Sequence, residues 1–343
     1  MTVATFDPAS AFRRLAEHHR PLAVSGLATV ALLALFLVGL VFDPRLIAGA
    51  PAWLKPAKFA VSIAVYTFTL LWLLGHVSRH TPWRARLVRV AGWVVLVTFA
   101  LEWLAIVTQV VRGTTSHFNV ATPFDAALWG LMAVAINVLL VANVVVAGLL
   151  LTQRFERPSL GWAVRLGLMI TIVGMAQAFL MTNPTALQLA GWQTGQAITI
   201  VGAHSVGDPD GGAGMPVTGW RSDAGDLRVG HFVGLHALQV IPVFGVWLQR
   251  RRRLGEGQRT ALVAVVAGGY LGLTTLVTWQ ALRAQPLLQP DSLTLGALAL
   301  LVAACAVAAL LVVRSSPARE LVETMRAAPG KPVHRAHVAR REA

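Results

Sequence analysis

Ala126–Leu151 reads AALWGLMAVAINVLLVANVVVAGLLL, a stretch with no ionisable side chain and only two asparagines to interrupt its apolar character. A helix crosses about 30 Å of hydrocarbon with roughly 20 apolar residues, so this stretch alone predicts a membrane span. Comparable runs recur at about 22–42, 56–76, 89–111, 161–182, 228–249, 260–281 and 293–314. The 343-residue chain is 56% hydrophobic and 13% charged, far from the balance of a water-soluble domain. The expectation is an all-α integral membrane bundle of eight transmembrane helices. It divides into a cytoplasmic N-terminal segment (1–21), the bundle (22–314) with an extracytoplasmic loop (183–227), and a basic cytoplasmic tail (315–343).

The net charge of +14 would suggest nucleic acid in a soluble protein. Here the basic residues sit in short segments between apolar runs, where short cytoplasmic loops retain Lys and Arg during insertion. With the N-terminus inside, 22 of the 29 Lys and Arg fall on the cytoplasmic side. Both termini are therefore read as cytoplasmic, the lipid bilayer as the partner, and nucleic acid as excluded. The single cysteine, Cys305, lies in an apolar run, so neither an intramolecular disulfide nor a cysteine-rich metal site is expected. No cleavable signal peptide is read, because the first apolar run is long and begins only near Leu22. Walker, dinucleotide-binding, GxSxG and zinc-protease signatures are missing from contexts that would support them.

Two stretches carry ionisable residues into or beside these runs: EWLAIVTQVVRGTTSHFN, Glu102–Asn119, and GDLRVGHFVGLHALQ, Gly225–Gln239. An ionised side chain at mid-membrane costs about 2.5–3.5 kcal/mol on insertion scales, so such residues mark functional sites by default. Spacings of seven, three and four place Glu102, Gln109, Arg112 and Ser116 along one helical face. Glu102 is read near the bilayer midplane, as a carboxyl bonded to a neighbouring helix, a proton carrier, a cation ligand or the partner of a buried base. Arg112 either ends its helix at the interface, with Glu102 and Asp125 as partners, or meets substrate. His117 and Asn119 follow in the loop.

In the second stretch Arg228, Phe232, His236 and Gln239 share a face, while His231 lies on another. The i, i+5 spacing of the two histidines makes a poor chelate by itself, unlike HExxH. His236, two turns into the membrane, is the better axial ligand, and Asp226 with Arg228 suits a helix cap and ion pair. Lys55 and Lys58 lie in WLKPAKF, Trp53–Phe59, at the outer end of the second run, where Pro44, Pro51 and Pro56 break the helix. Asn137 is expected to hydrogen-bond between helices.

WLKPAKF, RGTTSHFN and GDLRVGHFVGLHALQ together resemble a family of bacterial polytopic membrane proteins patterned WLKPxKF, RGxxSHFN and GDLRxxHFxGLHALQ. The resemblance covers most of residues 50–250. It implies a shared architecture in a bacterial plasma membrane and supplies no catalytic assignments.

The residues themselves support competing chemistries in a polar cavity opening to the outer side, between the second, third and sixth spans. In the first, His236 with His117 or His231, and Glu102, binds haem b or a divalent metal for redox or sensing chemistry. In the second, a proton-coupled transporter, Glu102 carries the proton while Lys55, Lys58, Arg112 and Arg228 receive a small anionic solute. A non-catalytic membrane scaffold is the third. Catalytic candidates are Glu102, Arg112, Asp226 and Arg228; ligand contacts are Lys55, Lys58, Gln109, Asn119 and Gln239; metal ligands are His117, His231 and His236.

Overall fold

A computed structural model describes residues 7–315, so nearly all of the basic tail lies outside the described residues. The chain opens with α1 (Pro8–Ala16), whose first turn is capped by the Asp7 carboxylate accepting from the amides of Ala9 and Ser10 at 3.0 and 3.2 Å. The helices α2 (Arg20–Phe42) and α3 (Leu54–Gly75) follow, separated by a hairpin of β1 (Leu46–Ile47) and β2 (Ala50–Pro51). Next come α4 (Pro82–Arg112), α5 (Pro123–Leu151), α6 (Pro158–Ala176) and the single turn α7 (Phe179–Thr182). The long outer connection carries α8 (Ala186–Gln193) and the two-residue strands β3 (Ser205–Val206) and β4 (Gly225–Asp226), paired antiparallel. The chain then continues through α9 (Leu227–Gln249), α10 (Glu256–Leu282) and α11 (Ser292–Arg314).

Among the described residues eight helices are long and apolar enough to cross a membrane. Proline stands in the first turn of α1, α2, α4, α5 and α6, where its missing amide proton costs nothing and its fixed φ favours the helix. The third span begins at Pro82 rather than near 89, because Arg84, Arg86 and Arg89 ride on an extension of α4 beyond the apolar run. Glycine ends that helix: Gly113 adopts φ 73°, and its amide and that of Thr114 bond back to Val110 and Gln109. The short helix α8 ends at Gln193 and is held at its start by a capping box of Thr185 and Gln188.

Packing divides the bundle into two groups. On one side α2 packs on α3 and α4 on α5; on the other α6, α9 and α10 pack together, with α11 against α10 at the edge. The groups meet in the Arg-rich half. There Leu70, Leu74, Val95, Leu150, Val164 and Leu168 form a continuous apolar core. Toward the Arg-poor end that core gives way to a space between α3, α4 and α5 on one side and α6 and α9 on the other.

The roof of this space is two loops stitched together. Val120 donates its amide to Thr199 and Val201 to Phe118, each at 2.8 Å, so the loop after α4 forms a short ladder with the long connection. The guanidinium of buried Arg221 donates to Asp208 at 2.9 Å, Asp223 at 2.8 Å and the Pro209 carbonyl at 2.9 Å, which fixes the glycine-rich part of the loop. A buried arginine is tolerated only when its charge and donors are met in this way.

Candidate functional site

The space is a cavity of about 400 Å3, within the range of small-molecule sites. Its walls are mostly apolar and aromatic, including Phe59, Tyr66, Phe99, Trp129 and Phe232. Four imidazoles also line it: His117 and His204 from the roof, and His231 and His236 from α9. His231 and His236, separated in the sequence reading because five residues turn a helix by about 140°, both reach the cavity because it wraps around two faces of α9. His236 is exposed at the side of the bundle, so the cavity opens laterally at its level.

All four rings are held by the same nitrogen. The Nδ1 of His231 lies 2.7 Å from the Gly174 carbonyl and that of His236 2.8 Å from the Phe232 carbonyl. The Nδ1 of His204 lies 2.7 Å from the Asp210 carboxylate and that of His117 3.2 Å from the Ser116 hydroxyl. A carbonyl or carboxylate can only accept, so Nδ1 carries the proton in at least the first three, and the neutral ring keeps a lone pair on Nε2. A partner that fixes tautomer and orientation in this way is the usual outer-shell arrangement of a ligating histidine.

The charge state of the roof histidines follows from their surroundings. Burial, then the positive charge of Lys55 and the neighbouring His204 and His231, hold His117 well below the ordinary imidazole range. Burial likewise lowers His204, outweighing the raising effect of its bond to Asp210. Burial alone would raise Asp210, but the bonds it receives from His204 and Ser205 bring it below the usual carboxylate range. Both imidazoles are therefore neutral at pH 7.

Glu102 lines the same cavity from α4, only 2% exposed, and its Oε1 has no hydrogen-bond partner. A buried polar atom left unpaired costs about 1–3 kcal/mol, which makes this carboxyl the most expensive unpaired group in the cavity wall. Gln239 also lines the cavity, and its Nε2 donates to the Thr69 hydroxyl of α3 at 3.2 Å, bridging the two helix groups. Asn137 does not bond between helices as expected. Its Nδ2 donates to the Ala133 carbonyl one turn back at 2.8 Å, and its side chain faces the cavity.

The other sequence candidates lie outside the cavity wall. Arg112 and Gln109 meet Asp125 of α5: Gln109 donates to the carboxylate at 2.7 Å, Arg112 bonds both groups, and Thr122 adds its hydroxyl at 2.6 Å. Glu102 is not part of this network, although spacing placed it on the same stripe. Arg228 pairs with Asp226 at 2.5 Å and donates to the Gly219 carbonyl at 2.8 Å, while Asp226 also caps α9 and accepts from the Arg221 amide at 2.7 Å. Asn119 holds its own loop through Thr114, Thr115 and Ala121. Lys58 donates to the Thr218 carbonyl of the roof. Lys55 is half-buried with its ammonium 5.9 Å from the centre of the Phe59 ring.

Among the described residues no three His, Cys, Asp or Glu side chains are placed to hold a metal ion. The four imidazoles arise from different loops and two faces of α9, which spreads them around the wall. His204 was missed by sequence reading because it lies in a glycine-rich loop 86 residues from its neighbour Phe118, whose ring it meets at 4.8 Å. Trp129, near the start of α5, packs its ring 5.3 Å from His117 inside the site. No protein-family model, curated protein or solved structure matches this chain, so its chemistry is argued from its own side chains.

Proposed function

We propose that this chain is a redox or redox-sensing protein of a bacterial plasma membrane, one of the family that shares its three motifs, and that its outer cavity holds haem b. The observation that carries the reading is the set of imidazoles anchored through Nδ1, which leaves Nε2 for a ligand. Those lone pairs suit a Lewis acid. A haem iron needs only one or two of them, unlike a bare divalent ion, which needs three or more protein ligands.

In this reading His231 of α9 and His117 of the roof would hold the iron. His117 lies within the electrostatic reach of both His231 and Lys55. The walls Phe59 and Trp129, with ring centres 5.8 and 5.3 Å from His117, offer flat apolar surface to a macrocycle. Lys55, half-buried at the outer end, supplies a cation for a propionate. A bound haem would contribute one-electron chemistry, its potential set by the imidazole ligands and the dry cavity.

The transport reading draws less support, because Arg112 and Arg228 already have carboxylate partners. The test is the absorption spectrum of the full-length protein purified from membranes and after addition of haem b. A low-spin Soret band at one haem per chain, lost in both His117→Ala and His231→Ala, is expected. Folded protein that takes up no haem, or whose band survives both substitutions, would overturn the reading.

A further inference from the structure

The deep end of the cavity, around Glu102, His236, Asn137 and Gln239, carries a second pattern. Each of its polar side chains other than Glu102 commits one hydrogen-bond donor to the protein. Tyr66 donates its hydroxyl to Asn143 at 2.9 Å, Asn137 its amide to Ala133 at 2.8 Å and Gln239 its amide to Thr69 at 3.2 Å. The ring proton of His236 goes to Phe232 at 2.8 Å. Two acceptors remain among the lining side chains: the Nε2 of His236 and the unpartnered Oε1 of Glu102. These two acceptors favour a ligand with hydrogens to donate, because any other leaves them unpaired at about 1–3 kcal/mol each.

The ligand's shape follows from the surroundings. Gln239 is shared with a second hollow of about 400 Å3 running down between α3 and α9, lined by Phe68, Trp72, Leu238, Pro242, Val243 and Val246. This hollow is apolar except at Gln239 and Thr69. His236, Asn137 and Val243 are exposed on the flank of the bundle, so head and tail would both arrive from the lipid phase.

We propose that the deep end of the cavity binds the reduced, hydroxyl-bearing head of a long-chain hydroquinone, with its apolar tail in the α3–α9 hollow. The hydroquinone hydroxyls donate to the Glu102 carboxyl and to the Nε2 of His236, while aromatic walls flank the ring. The oxidised quinone has carbonyl acceptors only and offers no hydrogen to Glu102 Oε1 or His236 Nε2, so these two groups favour the reduced form. This deepens the redox reading by naming the membrane-soluble molecule that the haem site would exchange electrons with. It concerns binding alone.

The test is calorimetric titration of the full-length protein in lipid nanodiscs with decylubiquinol under reductant and with decylubiquinone, run with and without added haem b. Haem binding is read from the absorption spectrum and hydroquinone binding from the titration, so the two proposals fail separately. At least tenfold tighter binding of the reduced form is expected. Glu102→Leu and the flank substitution Asn137→Leu should each weaken it by about tenfold, with unchanged elution and a melting temperature no lower than that of the unsubstituted protein showing the fold intact. Val243→Trp should weaken decylubiquinol but leave a tail-less hydroquinone unaffected. Equal affinity for the two redox forms would overturn the proposal, as would indifference to both head-group substitutions. Glu102-dependent binding of tetraphenylphosphonium in place of the hydroquinone would also overturn it, by making the carboxyl a cation site.

Discussion

The backbones of Gly174 on α6 and Gly234 on α9 touch: a Cβ built on Gly174 would lie 2.5 Å from the carbonyl carbon of Gly234. Small residues let membrane helices approach this closely. The contact also brings the Gly174 carbonyl to the Nδ1 of His231, so one glycine pair sets both a helix crossing and the tautomer of a cavity imidazole.

Gly174→Ala should therefore do two things at once. Forcing a methyl into packed backbone costs about 1–3 kcal/mol, and the shift of α6 disturbs the acceptor that holds His231. The expected outcome is a lower melting temperature in detergent together with weaker haem uptake, whereas Gly268→Ala, where a Cβ meets nothing within 4 Å, should change neither. Unaltered melting of Gly174→Ala would contradict the close contact.

Asp125 is 3% exposed and gathers Gln109, Arg112 and Thr122. Asp125→Ala leaves a cation and two donors unpaired, and hydrogen bonds to charged groups contribute about 1.5–3 kcal/mol each. A loss of about 3 kcal/mol is expected. The Arg112 side chain is 36% exposed and can reach headgroups or water, so Arg112→Gln should cost less than about 1 kcal/mol. Chemical unfolding in mixed micelles measures the ratio; equal costs would refute the asymmetry.

Acidification should loosen the roof. His117 and His204 are both depressed below the ordinary 6.5, so as pH falls below 6.5 the unfolded chain takes up protons that the folded roof refuses. Stability then falls with pH, until the pH passes below the folded-state value. Asp210, held below the usual carboxylate range, keeps its charge throughout the interval from pH 7.5 to 5 and contributes no slope there. Hydrogen exchange of residues 117–121 and 199–206 should accelerate over that interval, and His204→Phe should flatten part of the response. Acceleration on raising the pH, after correction for intrinsic rates, would reverse the sign.

Glu102 costs stability where it stands. Glu102→Leu replaces an unpartnered buried carboxyl with an apolar side chain of similar reach and should raise stability by about 1–2 kcal/mol, measured without ligand. The gain should come with lost hydroquinone binding, the usual trade at a functional site. Destabilisation by this substitution would mean that the carboxyl has a partner in the folded protein.

How far the sequence could be read is clear from particular residues. Ala126–Leu151 specified its span, and the uneven distribution of arginine specified which ends of the helices lie together, because transfer from water to lipid sums residue by residue along the chain. Glu102 and Gly225–Gln239 stood out for the same reason: their cost in hydrocarbon does not depend on their neighbours. The fate of each polar group does depend on them. Arg112 shares a helical face with Glu102, yet one is paired by Asp125 and the other left open to a cavity. His204 joins the site only because two loops form a ladder across the outer end. His231 and His236 line one cavity only because α6 and α9 meet at their glycines while α3 and α9 stand apart. Hydropathy belongs to a residue and its solvent, and was determined by the sequence alone; pairing belongs to two residues at once, and was decided by which helix surfaces the tertiary structure brings together.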